Sequence, residues 1–411
     1  MHNQTFNLKE VFNSLSTALD FTYSGLSRHH KRVTYMAVTL AKRLRLPGDT
    51  IRNLYMSSII HDIGAISMLE KKLLGELEVK DPYTHSDLGC RMVKSIKFLK
   101  PVSNIIKSHH DSWKGDNPSG LSGSRIPLES RIINAVDRLD VLIDHNHYIL
   151  EQTDGVLKRL GEIAGEIIDP DIFNELVDMA GSESFWLDLH SDFLPDMLCG
   201  QMADFDIYLD HEMLMDISLL FSKVIDQKSS FTSRHSRLVA ASSGMLAGIS
   251  GFSPEDSQKM VVAGLLHDIG KLSIPDEILE KPGKLSPGEF RVIKRHSYYT
   301  YRILEGISGF TDINRWASYH HEKLDGTGYP FKLSAANIPR GSRIMAVSDV
   351  FSALAEDRPY RKGIPRERIT GILGDMAGSA LDREMVGLLV NNYDLFANLL
   401  KCEDPLAGCR A

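Results

Sequence analysis

Cysteine is scarce in this chain. Four residues in 411 (Cys90, Cys199, Cys402 and Cys409) are too few and too scattered for a disulfide framework. No apolar run reaches membrane-spanning length, and the opening MHNQTFNLKE carries no signal-peptide pattern. The sequence therefore reads as a cytoplasmic protein without membrane insertion. Positive charge is not in excess: 47 Lys and Arg stand against 54 Asp and Glu, a net charge of −7. That balance gives no support for duplex nucleic acid or an anionic membrane as partner. Strand signals are weak as well, with few alternating Val/Ile/Thr runs and no Asn-Gly hairpin. What remains is a helical protein long enough for two domains of ordinary size.

The feature present in abundance is a repeat. In the second half, His235, His267-Asp268, His296, His320-His321 and Asp349 follow one another. In the first half, the series is His29, His61-Asp62, His85, His109-His110 and Asp137. The first His precedes the His-Asp pair by 32 residues in both (61−29 and 267−235). The middle His precedes the His-His pair by 24 in both (109−85 and 320−296). A single histidine is more often a core or solvated residue than a ligand. Seven N and O donors in a repeated spacing suit two divalent metal ions. The copies also match at Gly161-Glu162-Ile163-Ala164-Gly165 and Gly374-Asp375-Met376-Ala377-Gly378, so the whole domain is duplicated. We place the domains at residues 1–195 and 211–411.

Helix signals fit this plan. Ser253-Pro254-Glu255-Asp256 reads as a helix start: a cap, a proline in the first turn, then acids near the positive end. Met260, Val261, Leu265, Leu266 and Ile269 recur at helical spacing, and Gly270 fits a C-terminal stop. His267 and Asp268 then lie at the end of a buried helix. Residues 211–226 read as an amphipathic helix opening the second domain. Ligands converging from different helices are how bundles build metal sites. The expected fold is all-α, two tandem helical bundles.

Four motifs then follow in order: LLHDIGKLSIPDEILEKPGKLSPGEF, HHEKLDGTGYP, IPRGSRIMAVSDVFSAL and DRPYR. On these, residues 215–385 resemble the HD-GYP family, a branch of the HD metal-dependent phosphohydrolases. The resemblance implies a metal-dependent phosphodiesterase that opens cyclic dinucleotides, chiefly cyclic di-GMP, to linear pGpG or GMP. It implies that Asp268 bridges two metals. His235, His267 and Asp349 would complete one ion's ligands and His296, His320 and His321 the other's. Some members add a third metal through a Glu four residues before the first histidine. Here that position is Phe231, which cannot ligate, so two ions are expected. Imidazole-rich sites with carboxylates suit Fe, Mn or Zn, and the resemblance favours Fe or Mn.

The same resemblance assigns Lys271, Tyr329, Arg358 and Arg361 to substrate binding. The chemistry agrees. Lys271 can stabilise phosphate charge beside catalytic His267 and Asp268. Arg358 and Arg361 can grip phosphate bidentately. Tyr329 offers a ring for a base. Gly326 and Gly328 stand where backbone must approach a ligand. Phosphodiester cleavage is expected by in-line attack of water activated between the metals, with the 3′ oxygen leaving.

The first copy keeps all seven ligands and loses the rest. Lys271 corresponds to Ala65, Arg358 to Asn146 and Arg361 to Ile149, and the Gly-Tyr-Pro loop is missing. The favoured expectation is a degenerate HD domain that holds metal as a structural or regulatory partner. Removal of the 5′-phosphate from the linear product, or sensing through the metal, are the other readings. For the second domain the rivals are a 3′,3′-cyclic GMP-AMP phosphodiesterase, a non-catalytic cyclic-dinucleotide receptor and a nucleoside-phosphate hydrolase. The sequence leaves oligomeric state open, a homodimer included.

Overall fold

The computed structural model describes residues 5–21, 28–65, 83–228, 234–357 and 362–407. The fold is all-α. Among the described residues the only strands are Phe6–Asn7 and Tyr208–Leu209, paired antiparallel. No described helix is long and apolar enough to cross a membrane. The chain divides into two compact units, Val11–Ile207 and Met1–Glu10 with Tyr208–Ala411. The first residues belong to the second unit because Phe6 is fully buried there, its ring edge-on to His211 and Phe310.

In the second unit, helix Pro254–Leu266 starts as its sequence requires. Ser253 accepts from the Asp256 amide, and Pro254 fills a position that needs no amide donor. The helix packs on His235–Ile249, with Leu238, Ala240, Ala241, Val261 and Leu265 in one buried cluster. Gly264 permits this approach, since an added Cβ would overlap the Ala240 backbone. Helix His211–Lys228 buries Leu214, Ile217, Phe221 and Val224 along one stripe and packs on Pro254–Leu266.

The repeat also governs details outside the ligands. Asp169 caps helix Pro170–Ala180 and Asp382 caps Arg383–Asn391 through backbone amides. Each cap is held by an arginine from the Asp-bearing ligand helix: Arg131 lies 2.6 Å from Asp169, Arg343 lies 2.9 Å from Asp382. The third histidine is placed by a glycine in each copy. Gly270 does not take the left-handed form expected of a helix stop. Its role is closeness, because an added Cβ would collide with the His296 carbonyl oxygen. Gly64 stands identically against His85. The Gly270 amide further donates to Thr300 Oγ1 (3.1 Å), whose hydroxyl donates to the His267 carbonyl (3.0 Å).

Two predictions follow from this scaffold. Gly270→Ala should cost about 2 kcal/mol by overpacking and displace the His296 helix. Its bound metal, read by elemental analysis, should fall in the second unit alone, with Gly64→Ala doing the reverse. Arg131→Met should cost about 3 kcal/mol in thermal unfolding, because it strands a buried Asp169 carboxylate.

Candidate metal centres

In the second unit the seven expected ligands come together. His235 opens helix His235–Ile249, and its Nε2 lies 3.1 Å from Asp349 Oδ1 on helix Arg340–Ala355. His267 directly follows Pro254–Leu266, and its Nδ1 donates to the Gly264 carbonyl at 2.7 Å. That bond turns Nε2 inward, 3.1 Å from Asp268 Oδ2. His296 and His320 are held alike. Their Nδ1 atoms donate to the carbonyls of Ile293 (2.7 Å) and Ala317 (2.5 Å). Their Nε2 atoms face each other at 3.4 Å and lie 3.5 and 3.9 Å from Asp268 Oδ1. Asp268 thus presents one oxygen to each histidine set. The donors form two clusters, His235-His267-Asp268 and His296-His320-His321.

The electrostatics separate the clusters. Burial drives His296 down to about 3, and His320 and His321 also fall for that reason first. These are neutral imidazoles, the form that ligates. Burial opposes charge on His235 too, but hydrogen bonds that its ring donates to Asp349 and Glu356 outweigh it and raise the group to about 9. Asp268 is held well below the usual carboxylate range: burial opposes its charge, and His267 and Lys271 overcome that.

Several neighbours were not legible as site residues. Glu356 accepts from His235 Nδ1 at 3.0 Å and fixes that ring. Its seven-residue spacing from Asp349, two helical turns, was the available signal. Glu322, beside the histidine pair and buried, accepts the amides of Phe331 (2.7 Å) and Leu333 (2.9 Å), bracing the Gly-Tyr-Pro loop. Within that loop Gly326 has φ 76°, and a Cβ on Gly328 would overlap the Glu322 backbone. Tyr329 packs its ring against His321, centroids 4.8 Å apart. Lys271 is not idle: its Nζ lies 2.5 Å from Asp268 Oδ2. Arg358, Arg361 and Phe231 lie outside the described residues.

The first unit assembles the matching set, all buried: His29-His61-Asp137 and Asp62-His85-His109-His110. His29 Nε2 lies 3.3 Å from both Asp137 Oδ1 and His61 Nε2. His85 and His109 Nε2 lie 3.3 and 3.6 Å from Asp62 Oδ1. The supports differ. His29 Nδ1 donates to Asp140 at 2.8 Å, and Asp140 is itself paired with buried Arg32 at 2.6 Å. Burial, the first influence on His29, opposes its charge, but the Asp137 and Asp140 bonds raise it to about 10. Ala65 stands where the second unit has Lys271, and among the described residues Asp62 is faced by histidines alone.

Both sites fit resident divalent cations on their own geometry. Among the described residues, His267 Nε2 in one, and Asp62 Oδ1 and His110 Nε2 in the other, are buried and make no well-formed hydrogen bond; they face only the other donors of their clusters. Buried polar atoms rarely go unsatisfied unless an ion or water serves them.

Comparison with known proteins agrees with this architecture. The HD domain family matches twice, over residues 13–172 and 220–385. The chain is 30% identical over 409 residues to 3′3′-cGAMP-specific phosphodiesterase 1 of Vibrio cholerae serotype O1, covering 97% of this chain and 95% of that one. It is 36% identical over 171 residues to a cyclic di-GMP phosphodiesterase response regulator of Xanthomonas campestris pv. campestris, 41% of this chain and 45% of the other. A crystal structure of a cyclic GMP-AMP specific phosphodiesterase of V. cholerae superposes with TM-score 0.70 at 25% identity, covering 95% of this chain and 99% of that one. The chain belongs to the HD domain family, in its HD-GYP branch of metal-dependent phosphohydrolases.

Proposed function

We propose that the C-terminal domain is a metal-dependent phosphodiesterase that hydrolyses a cyclic dinucleotide to its linear form. The single observation that carries this is the donor set, most of it buried, with Asp268 between its two histidine clusters and Lys271 paired to Asp268. His235, His267, Asp268 and Asp349 would hold one divalent ion, and Asp268, His296, His320 and His321 a second, with Fe or Mn preferred. Bound, such ions would supply Lewis acidity and an activated water.

The protein's own groups do the remainder. Carbonyl and carboxylate bonds at Nδ1 fix His235, His267, His296 and His320 in the tautomer that presents Nε2. Lys271 shares its charge between Asp268 and an incoming phosphate oxygen, stabilising charge that develops as the 3′ oxygen leaves. The family resemblance also assigns Arg358 and Arg361, which lie outside the described residues, to phosphate binding. Between substrates, likeness along the whole chain to a cyclic GMP-AMP enzyme supports 3′,3′-cyclic GMP-AMP beside cyclic di-GMP.

For the N-terminal domain we propose a metal-holding partner that does not open the cyclic substrate, since its ligands are complete while the lysine and the tyrosine loop are gone. A second reading has one supporting observation. Ala65 stands where the second unit has Lys271, and among the described residues only histidines lie against Asp62; a terminal phosphate, as on the linear product, needs the metals but not that lysine.

Anaerobically prepared protein with Fe or Mn should hydrolyse cyclic di-GMP or cyclic GMP-AMP. His267→Ala/Asp268→Ala should abolish this, while His61→Ala/Asp62→Ala should retain it. Tight binding without turnover by the wild type would replace the enzyme with a receptor. Lys271→Met should lower kcat about 10²- to 10³-fold with metal content unchanged. The product list decides the first domain's role: a 5′-phosphorylated linear dinucleotide that accumulates only in His61→Ala/Asp62→Ala, while the wild type releases inorganic phosphate and the unphosphorylated dinucleotide, would show that domain to be a phosphatase.

A further inference from the structure

Helix Pro287–Glu305 carries His296 inward and presents a second feature at the lip of the same site. Phe290 and Lys294, four residues apart, share one face. Lys294 Nζ lies 4.9 Å from the centre of the Phe290 ring and 5.3 Å from that of Tyr329. The two rings meet edge to face at 6.3 Å. Tyr329 has one face against His321, so it is largely enclosed. Phe290 is the open ring, with 44% of its surface exposed. Two ring contacts thus lead from a metal-cluster histidine to an exposed aromatic face, with a half-buried ammonium beside it. Among the described residues no carboxylate pairs with Lys294.

We propose that Phe290 and Lys294 form a guanine subsite for the cyclic dinucleotide; this rests on the phosphodiesterase reading above. An exposed ring on a rigid helix is a stacking platform for any base. The ammonium supplies the selection. Guanine presents two acceptors, O6 and N7, on one edge, whereas adenine replaces O6 with an amino donor that repels a second donor. Lys294 has only donors to offer. A subsite that reads one base accepts cyclic di-GMP and cyclic GMP-AMP and rejects cyclic di-AMP.

The test is equilibrium titration of full-length, metal-loaded protein with GMP and AMP, in the His61→Ala/Asp62→Ala background so that only the second domain is read. GMP should bind more tightly. Lys294→Met should weaken GMP about tenfold and leave AMP alone. Phe290→Ala should weaken both about tenfold, and Lys294→Arg should keep the preference. Unchanged unfolding temperatures would confirm that the variants fold. No GMP preference in the parent, or an unchanged ratio in Lys294→Met, would overturn the subsite. A ratio lost in Lys294→Met without turnover of any cyclic dinucleotide by the wild type would instead sink the phosphodiesterase reading and leave the subsite standing.

Discussion

In each domain a carboxylate is buried among imidazoles. Asp268 and Asp62 are almost completely enclosed, where an uncompensated charge is costly. In each domain helices converge so that histidine Nε2 atoms surround that carboxylate. The residue three positions earlier in the chain supplies a carbonyl that fixes His267, His296 and His320. Divalent cations held by these donors would complete the charge balance.

Duplication preserved this constraint and released the others. The glycine that lets the third histidine approach, the aspartate cap and its arginine occur in both copies. The orienting carboxylate does not: Glu356 serves His235 from beyond the helix end, while Asp140 serves His29 one turn after Asp137, neutralised by Arg32. The first domain has thereby invested its second layer in fixing metal ligands. The second has kept an ammonium, Lys271, beside its central carboxylate and a tyrosine loop braced by Glu322. That division is why we assign cleavage to one domain and support to the other.

Much of this was legible in sequence because it depends on spacing. Equal gaps between ligands revealed the repeat, and Ser253-Pro254 marked its helix start as it stands in the structure. The all-α fold followed from the scarcity of strand signals. Long-range contacts were not legible. Nothing local reports that Gly270 faces a carbonyl 26 residues on (296−270), so it read as a helix stop. Nor does a local pattern show Phe6 packing with residues 211 and 310, which groups the first residues with the second unit. Tyr329 read as a ring for a base; that one of its faces packs on His321 and that Phe290 is the more exposed ring beside it had no local signal.

The most direct measurement is metal stoichiometry of the intact, anaerobically purified chain beside the variants His267→Ala/Asp268→Ala and His61→Ala/Asp62→Ala. The four donor clusters call for two ions in each domain, so each variant should lose its own pair and keep the other. A wild-type chain that binds no divalent metal, or one variant that empties both domains, would contradict the account of two independent metal centres.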